Sequence, residues 1–107
     1  MDEINATLHY SQLLYLYGDL LSKTQKEILE DYYLYNLSLS EIAENRNISR
    51  SAAEDACKKG KKKLDELETQ LCSLKILKII RDLKTQTSDE KVIAQLNEIE
   101  RIMKHGI

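Results

Sequence analysis

Apolar residues recur three and four positions apart along most of this chain, the spacing that lines one face of an α-helix. Leu8, Leu13, Leu14, Tyr17, Leu20 and Leu21 mark a first helix that ends near Gly18 and Asp19 or a little beyond. Ser22-Lys23-Thr24-Gln25 then fits a capping box, in which the serine hydroxyl accepts a backbone N–H and Gln25 reaches back to the serine. The box predicts a second helix running to about Tyr33 or Tyr35, with Ile28, Leu29, Tyr32 and Tyr33 turned inward. Asn36-Leu37-Ser38 breaks the pattern, and Ser38 or Ser40 caps a short third helix holding Leu39, Ile42 and Ala43 on one face. An asparagine of Asn45-Arg46-Asn47 is suited to the left-handed conformation that ends a helix. Ile48 is expected to turn inward and Ser49 to cap the next helix.

That fourth helix places Ala52, Ala53, Ala56, Cys57 and Gly60 on one face, a stripe of small side chains that lets a neighbouring helix come close. Leu64, Leu67, Leu71 and Leu74 continue at heptad spacing. From Leu74 to Leu83 the apolar set widens to include Ile76, Leu77, Ile79 and Ile80, more than a single solvated stripe holds. Something has to cover two sides there. Thr87-Ser88-Asp89-Glu90 reads as a further capping box, opening a last helix with Val92, Leu96, Ile99 and Met103 that His105 and Gly106 close. The cover is expected from a second copy of the chain in a homodimer, or from the last helix folding back as a hairpin around residues 84 to 88; the two are compatible.

Composition sharpens the fold class. With no proline, three glycines and 32% charged residues, the chain lacks the punctuation of sheets and is rich in helix formers. Its 107 residues suit one hydrophobic core. The expectation is a single all-α domain over residues 1–107: a helix-turn-helix core at about 39–60 preceded by an N-terminal helix, and a C-terminal extension at about 61–107 as a long helix or helical hairpin. The longest uncharged run, Ile4 to Gly18, falls short of the roughly 20 apolar residues of a spanning helix. Met1-Asp2-Glu3 is acidic where a signal peptide is basic, so the expected location is cytoplasmic, with no membrane insertion. Cys57 and Cys72 stand without ligand or pairing spacing and read as small buried thiols.

A net charge of −2 conceals a strong asymmetry: residues 1 to 45 carry −6, residues 46 to 63 carry +5, and the remainder carries −1. The positive segment coincides with Leu39-Ser40-Glu41-Ile42-Ala43-Glu44-Asn45-Arg46-Asn47-Ile48-Ser49-Arg50-Ser51-Ala52-Ala53, which has the layout of a helix-turn-helix. Ala43 is small enough for two helices to cross closely, and Ile42 and Ile48 wedge the corner. Arg50 and Ser51, the first exposed residues of the second helix, would meet base edges or phosphates. Arg46, Lys58, Lys59, Lys61, Lys62 and Lys63 complete the candidate nucleic-acid-binding set, the lysines neutralising phosphates irrespective of sequence. Glu54 and Asp55 lie in the same helix and oppose a phosphate surface.

From Leu13 to about Leu71 the chain resembles the YlxM family of small bacterial helix-turn-helix proteins, which are similar to the DNA-binding region four of sigma factors. The matching residues are Leu20-Leu21-Ser22, Ile28, Tyr32-Tyr33, Leu37 through Glu44 and Ile48-Ser49-Arg50-Ser51-Ala52. The resemblance implies an all-helical, dimeric protein and a role as regulator or accessory of the signal recognition particle pathway. It does not extend to the segment from about Cys72 to Ile107.

No Gly-x-Gly-x-x-Gly, Walker loop or Gly-x-Ser-x-Gly is present, and no nucleophile pairs with a base, so no enzyme and no cofactor are expected. His9 and His105 lie at opposite ends with no ligand at metal spacing, so no metal is expected either. The six tyrosines, at 10, 15, 17, 32, 33 and 35, fall at core or interface spacing rather than on a base-stacking platform. Two readings follow. One is a regulator that binds DNA or RNA, and the other a protein-interaction adaptor whose basic patch meets the signal recognition particle without binding DNA specifically.

Overall fold

Three serine-capped helix starts and three left-handed residues organise the chain. The structure is a computed structural model that describes residues 3–105, and they form six helices and no strand: α1 Glu3–Tyr17, α2 Lys23–Tyr33, α3 Leu39–Arg46, α4 Arg50–Leu71, α5 Ser73–Gln86 and α6 Glu90–His105. A short 3-10 turn, Gly18–Leu20, follows α1. Ser22 and Gln25 form the expected capping box on α2, and Ser38 forms a second with Glu41 on α3. The Glu41 carboxyl is held below its ordinary pKa by the hydrogen bond from the Ser38 backbone. Asn36 closes α2 at φ 56° and Asn47 closes α3 at φ 55°. These are the single left-handed positions that asparagine tolerates better than most residues.

The core gathers Leu13, Leu14, Tyr17, Leu21, Ile28, Leu29, Tyr33, Ile42, Ala43, Ala53, Cys57, Leu64 and Leu74, drawn from α1 to α5. The small stripe on α4 works as its spacing implies, with Ala53, Cys57 and Gly60 buried against α2 and α3. At Gly60 the approach is extreme, since a Cβ there would lie 2.5 Å from Cδ1 of Leu29. Burial pushes the Cys57 thiol and the Tyr33 phenol above their usual ranges.

Several expectations are corrected. Tyr32 and Ile48 are 39% and 37% exposed rather than turned inward, and Ala52 faces solvent. Ile48 instead anchors the corner by its backbone, donating to the Ala43 carbonyl. The heptad does not run through: Cys72 adopts φ 57°, α4 stops at Leu71, and α5 leaves in a new direction. Leu64 and Leu74 therefore enter the intramolecular core while Leu71 stays half exposed, and Cys72 is exposed rather than buried. Asp89, not Thr87, caps α6 by accepting the Lys91 N–H at 2.9 Å. Gly106, expected to help end α6, lies outside the described residues.

The bend at Cys72 is held by side chains from elsewhere. The Glu68 carboxylate accepts the N–H groups of Leu74 and Lys75 at 2.9 and 3.2 Å. The Tyr17 hydroxyl accepts the Ser73 N–H at 2.9 Å and donates to Glu68 at 2.7 Å. These contacts satisfy the first donors of α5, which has no side-chain cap of its own. α5 and α6 then fold back as a hairpin that buries Leu77, Ile80 and Leu96 and carries a Lys84–Glu100 ion pair at 2.7 Å. The hairpin alternative of the sequence is thus formed within one chain. Lys104 fastens its end to α1, lying over the Tyr15 ring and donating to the Tyr15 carbonyl.

Candidate nucleic-acid interface

α3 and α4 are joined by Asn47, Ile48 and Ser49, a helix-turn-helix corner. The Ser49 hydroxyl accepts the Ala52 N–H at 3.0 Å, which fixes where α4 begins and leaves Arg50 and Ser51 exposed in its first turn. Because Ala53, Cys57, Gly60 and Leu64 take the buried side, Glu54, Asp55, Lys58, Lys59, Lys62 and Lys63 face outward.

These outward residues are not electrically equivalent. Lys58 pairs with Glu54 at 3.2 Å and Lys59 with Asp55 at 3.0 Å, each one turn along the same helix. Two of the five lysines are therefore matched by the carboxylates that oppose phosphate binding. Lys61 bends the other way and places its ammonium 4.9 Å from the centre of the Tyr10 ring. Among the described residues, Arg50, Lys62 and Lys63 carry no ion pair. Lys61 and Lys63 also point about 200° apart around the helix axis, so the cations ring the exposed side rather than form one plane.

Arg46 is placed apart from the others. Its Nε donates to Asp31 at 2.6 Å and its Nη1 to Glu27 at 3.0 Å, tying the end of α3 to α2. The bond to Asp31 raises the Arg46 pKa further above its already high value. We expect Arg46→Ala to cost about 1 to 2 kcal/mol of stability by urea unfolding, because the half-buried Asp31 loses its donor. Unchanged stability with weakened nucleic-acid binding would instead make Arg46 a ligand contact.

The i,i+4 acid–lysine pairs were visible as spacing in the sequence. The Arg46 bridges and the Tyr17 contacts to Glu68 and Ser73 were not, because their partners lie 15 to 56 residues apart. Among the described residues, no cluster of three or more His, Cys, Asp or Glu is arranged to hold a metal. His9 packs edge-on against Tyr10. Among the described residues, no helix is long and apolar enough to cross a membrane.

The chain is similar to known proteins along nearly all of its length. A family model described as "Putative helix-turn-helix protein, YlxM / p13 like" matches residues 4–104. A UPF0122 protein of Malacoplasma penetrans is 38% identical over 96 residues, covering 88% of this chain and 90% of that protein. A UPF0122 protein of Fusobacterium nucleatum is 44% identical over 93 residues, 80% and 90% of the two chains. One of Lactococcus lactis is 36% identical over 106 residues, 94% and 95% of the two. The match runs past Leu71 and takes in the α5–α6 hairpin, a segment to which the sequence resemblance had not been extended. Fold, corner and similarity agree, and the chain belongs to the YlxM/p13-like helix-turn-helix family.

Proposed function

We propose that the protein is a non-enzymatic regulator that binds nucleic acid through the exposed side of α4. Arg50 and Ser51 would be presented to base edges, and the phosphate contacts would be drawn from Lys58, Lys59, Lys61, Lys62 and Lys63. The observation that carries this reading is the serine-capped corner that leaves Arg50 exposed on the helix that also bears the unpaired Lys62 and Lys63. Arg46 is assigned to the scaffold for the reason given above. The test is titration of a random DNA duplex and an RNA duplex at several salt concentrations. The reading predicts a steep fall in affinity with salt, about one logarithmic unit per phosphate contact.

A second reading is favoured by the Glu54–Lys58 and Asp55–Lys59 pairs, which weaken α4 as a duplex ligand. In it the protein is an accessory of the signal recognition particle that does not bind DNA specifically. Absence of duplex binding at low salt would select it.

In either case the protein acts as a homodimer. Ile76, Ile79 and Leu83 on α5 and Val92, Ile99 and Ile102 on α6 are 39 to 52% exposed although the hairpin is already closed, and a second hairpin would cover them. Sedimentation at micromolar concentration is expected to give a dimer that Ile79→Glu dissociates. A soluble monomer for the wild type would remove this part of the proposal.

A further inference from the structure

Half of the 16 basic side chains have an ion-pair or aromatic partner within the protein. Apart from Lys23 and Lys91, the described ones without an ion pair or aromatic contact fall into two groups. One is Arg50, Lys62 and Lys63 on α4; the other is Lys75, Lys78 and Arg81 on α5. The second group is far from the helix-turn-helix corner in sequence and is not used by the function proposed above.

Lys78 lines a cavity of about 340 Å³ with Asn5, Leu8, His9 and Gln12 of α1. Arg81 lines a neighbouring one of about 180 Å³ with Ser11, Gln12, Tyr15 and Leu77. Gln12 belongs to both, so they form one crevice between α1 and α5, and no carboxylate lines either part. Leu8 and Tyr15 are 57% and 51% exposed along it. The crevice thus combines cations at i, i+3 spacing with an apolar strip.

We propose that the α1–α5 crevice docks an amphipathic helix of another protein, one with acidic residues flanking an apolar ridge. The ridge rests on the exposed Leu8 and Tyr15, and its flanking carboxylates meet Lys78 and Arg81, a helix-in-groove mode of recognition. Leu8 decides against a nucleic acid as occupant. A phosphate backbone would satisfy the two cations and leave that exposed aliphatic surface unmatched. Desolvated carboxylate–guanidinium contacts supply specificity for acidic over neutral helices.

The probe is a model helical peptide of about three heptads with a leucine ridge and glutamate flanks. It is titrated into the isotopically labelled full chain and followed by amide chemical shifts. Shifts should centre on α1 and α5, and K78Q with R81Q should weaken the peptide about tenfold or more while leaving α4 binding to a duplex unchanged. A charge-reversed protein, K78E with R81E, should prefer a lysine-flanked peptide. The proposal is overturned if the peptide does not bind, or if its shifts lie on α4 or on the outer face of the hairpin. It is also overturned if a glutamine-flanked peptide binds equally well, or if an RNA duplex rather than the peptide perturbs Lys78 and Arg81. Duplex binding by α4 is scored separately, so failure here leaves the proposed function intact.

Discussion

Gly60→Val is expected to destabilise the protein by about 3 kcal/mol or more, a large part of the roughly 5 to 15 kcal/mol that a domain possesses. At this position α4 packs directly against Leu29 and Gln25 of α2. Even a lone Cβ would sit 2.5 Å from Leu29 Cδ1 and 3.2 Å from its Cγ. Leu29 is fully buried in a close-packed core, so either its side chain is forced from its rotamer or the helices separate. Separation loosens α4, and with it the corner. Alanine supplies the sign test. On an exposed helix Gly→Ala gains about 1 kcal/mol, whereas overpacking costs about 1 to 3 kcal/mol. Gly60→Ala should therefore be neutral to destabilising in urea, and a clear gain would mean that the α2–α4 crossing yields.

Replacing Lys58, Lys59, Lys61, Lys62 and Lys63 together by Gln is expected to remove most nucleic-acid affinity, about 100-fold or more at moderate salt. The geometry refines what the salt response should show. Lys61 is held over Tyr10 and points about 200° away from Lys63, so one duplex cannot meet all five side chains at once. The salt slope should fall by roughly three units rather than five, at about one per phosphate contact. Fold is not at risk, since these lysines lie outside the core and Lys61 contributes only a ring contact. If affinity survives the fivefold replacement, the basic segment is a solvated face, and the accessory reading takes precedence.

What the sequence revealed and what it hid divide along the range of the interaction. Ser22 with Gln25, Ser49 with Ala52 and a left-handed asparagine within Asn45-Arg46-Asn47, which the structure places at Asn47, are decided within a few residues, so their chemistry was readable in order along the chain. The small stripe ending at Gly60 was readable as well, because helical periodicity alone puts Ala53, Cys57 and Gly60 on one side. The bend at Cys72 was not. Leucine spacing from Leu64 to Leu74 continues through it, and the groups that stabilise it, Tyr17 and Glu68, come from α1 and the preceding helix. The two roles of the cations were hidden for the same reason. Arg46 sits in a basic segment by sequence, yet folding brings Glu27 and Asp31 of α2 to it. Glu54 and Asp55 were legible as opposing charges. Their pairing with Lys58 and Lys59 changes the arithmetic, since each carboxylate occupies a lysine besides repelling a phosphate.

That pairing defines the most direct test of whether α4 faces nucleic acid. Binding to a random DNA duplex is measured at several salt concentrations for the wild type and for Glu54→Gln with Asp55→Asn. The substitution removes two negative charges and frees Lys58 and Lys59. It breaks only exposed pairs, so helical content by circular dichroism should not change. If α4 lies against the duplex, the double variant binds more tightly and its salt slope steepens by up to about two units. Affinity and slope identical to the wild type would mean that this helix does not meet the duplex, and would contradict the proposed function.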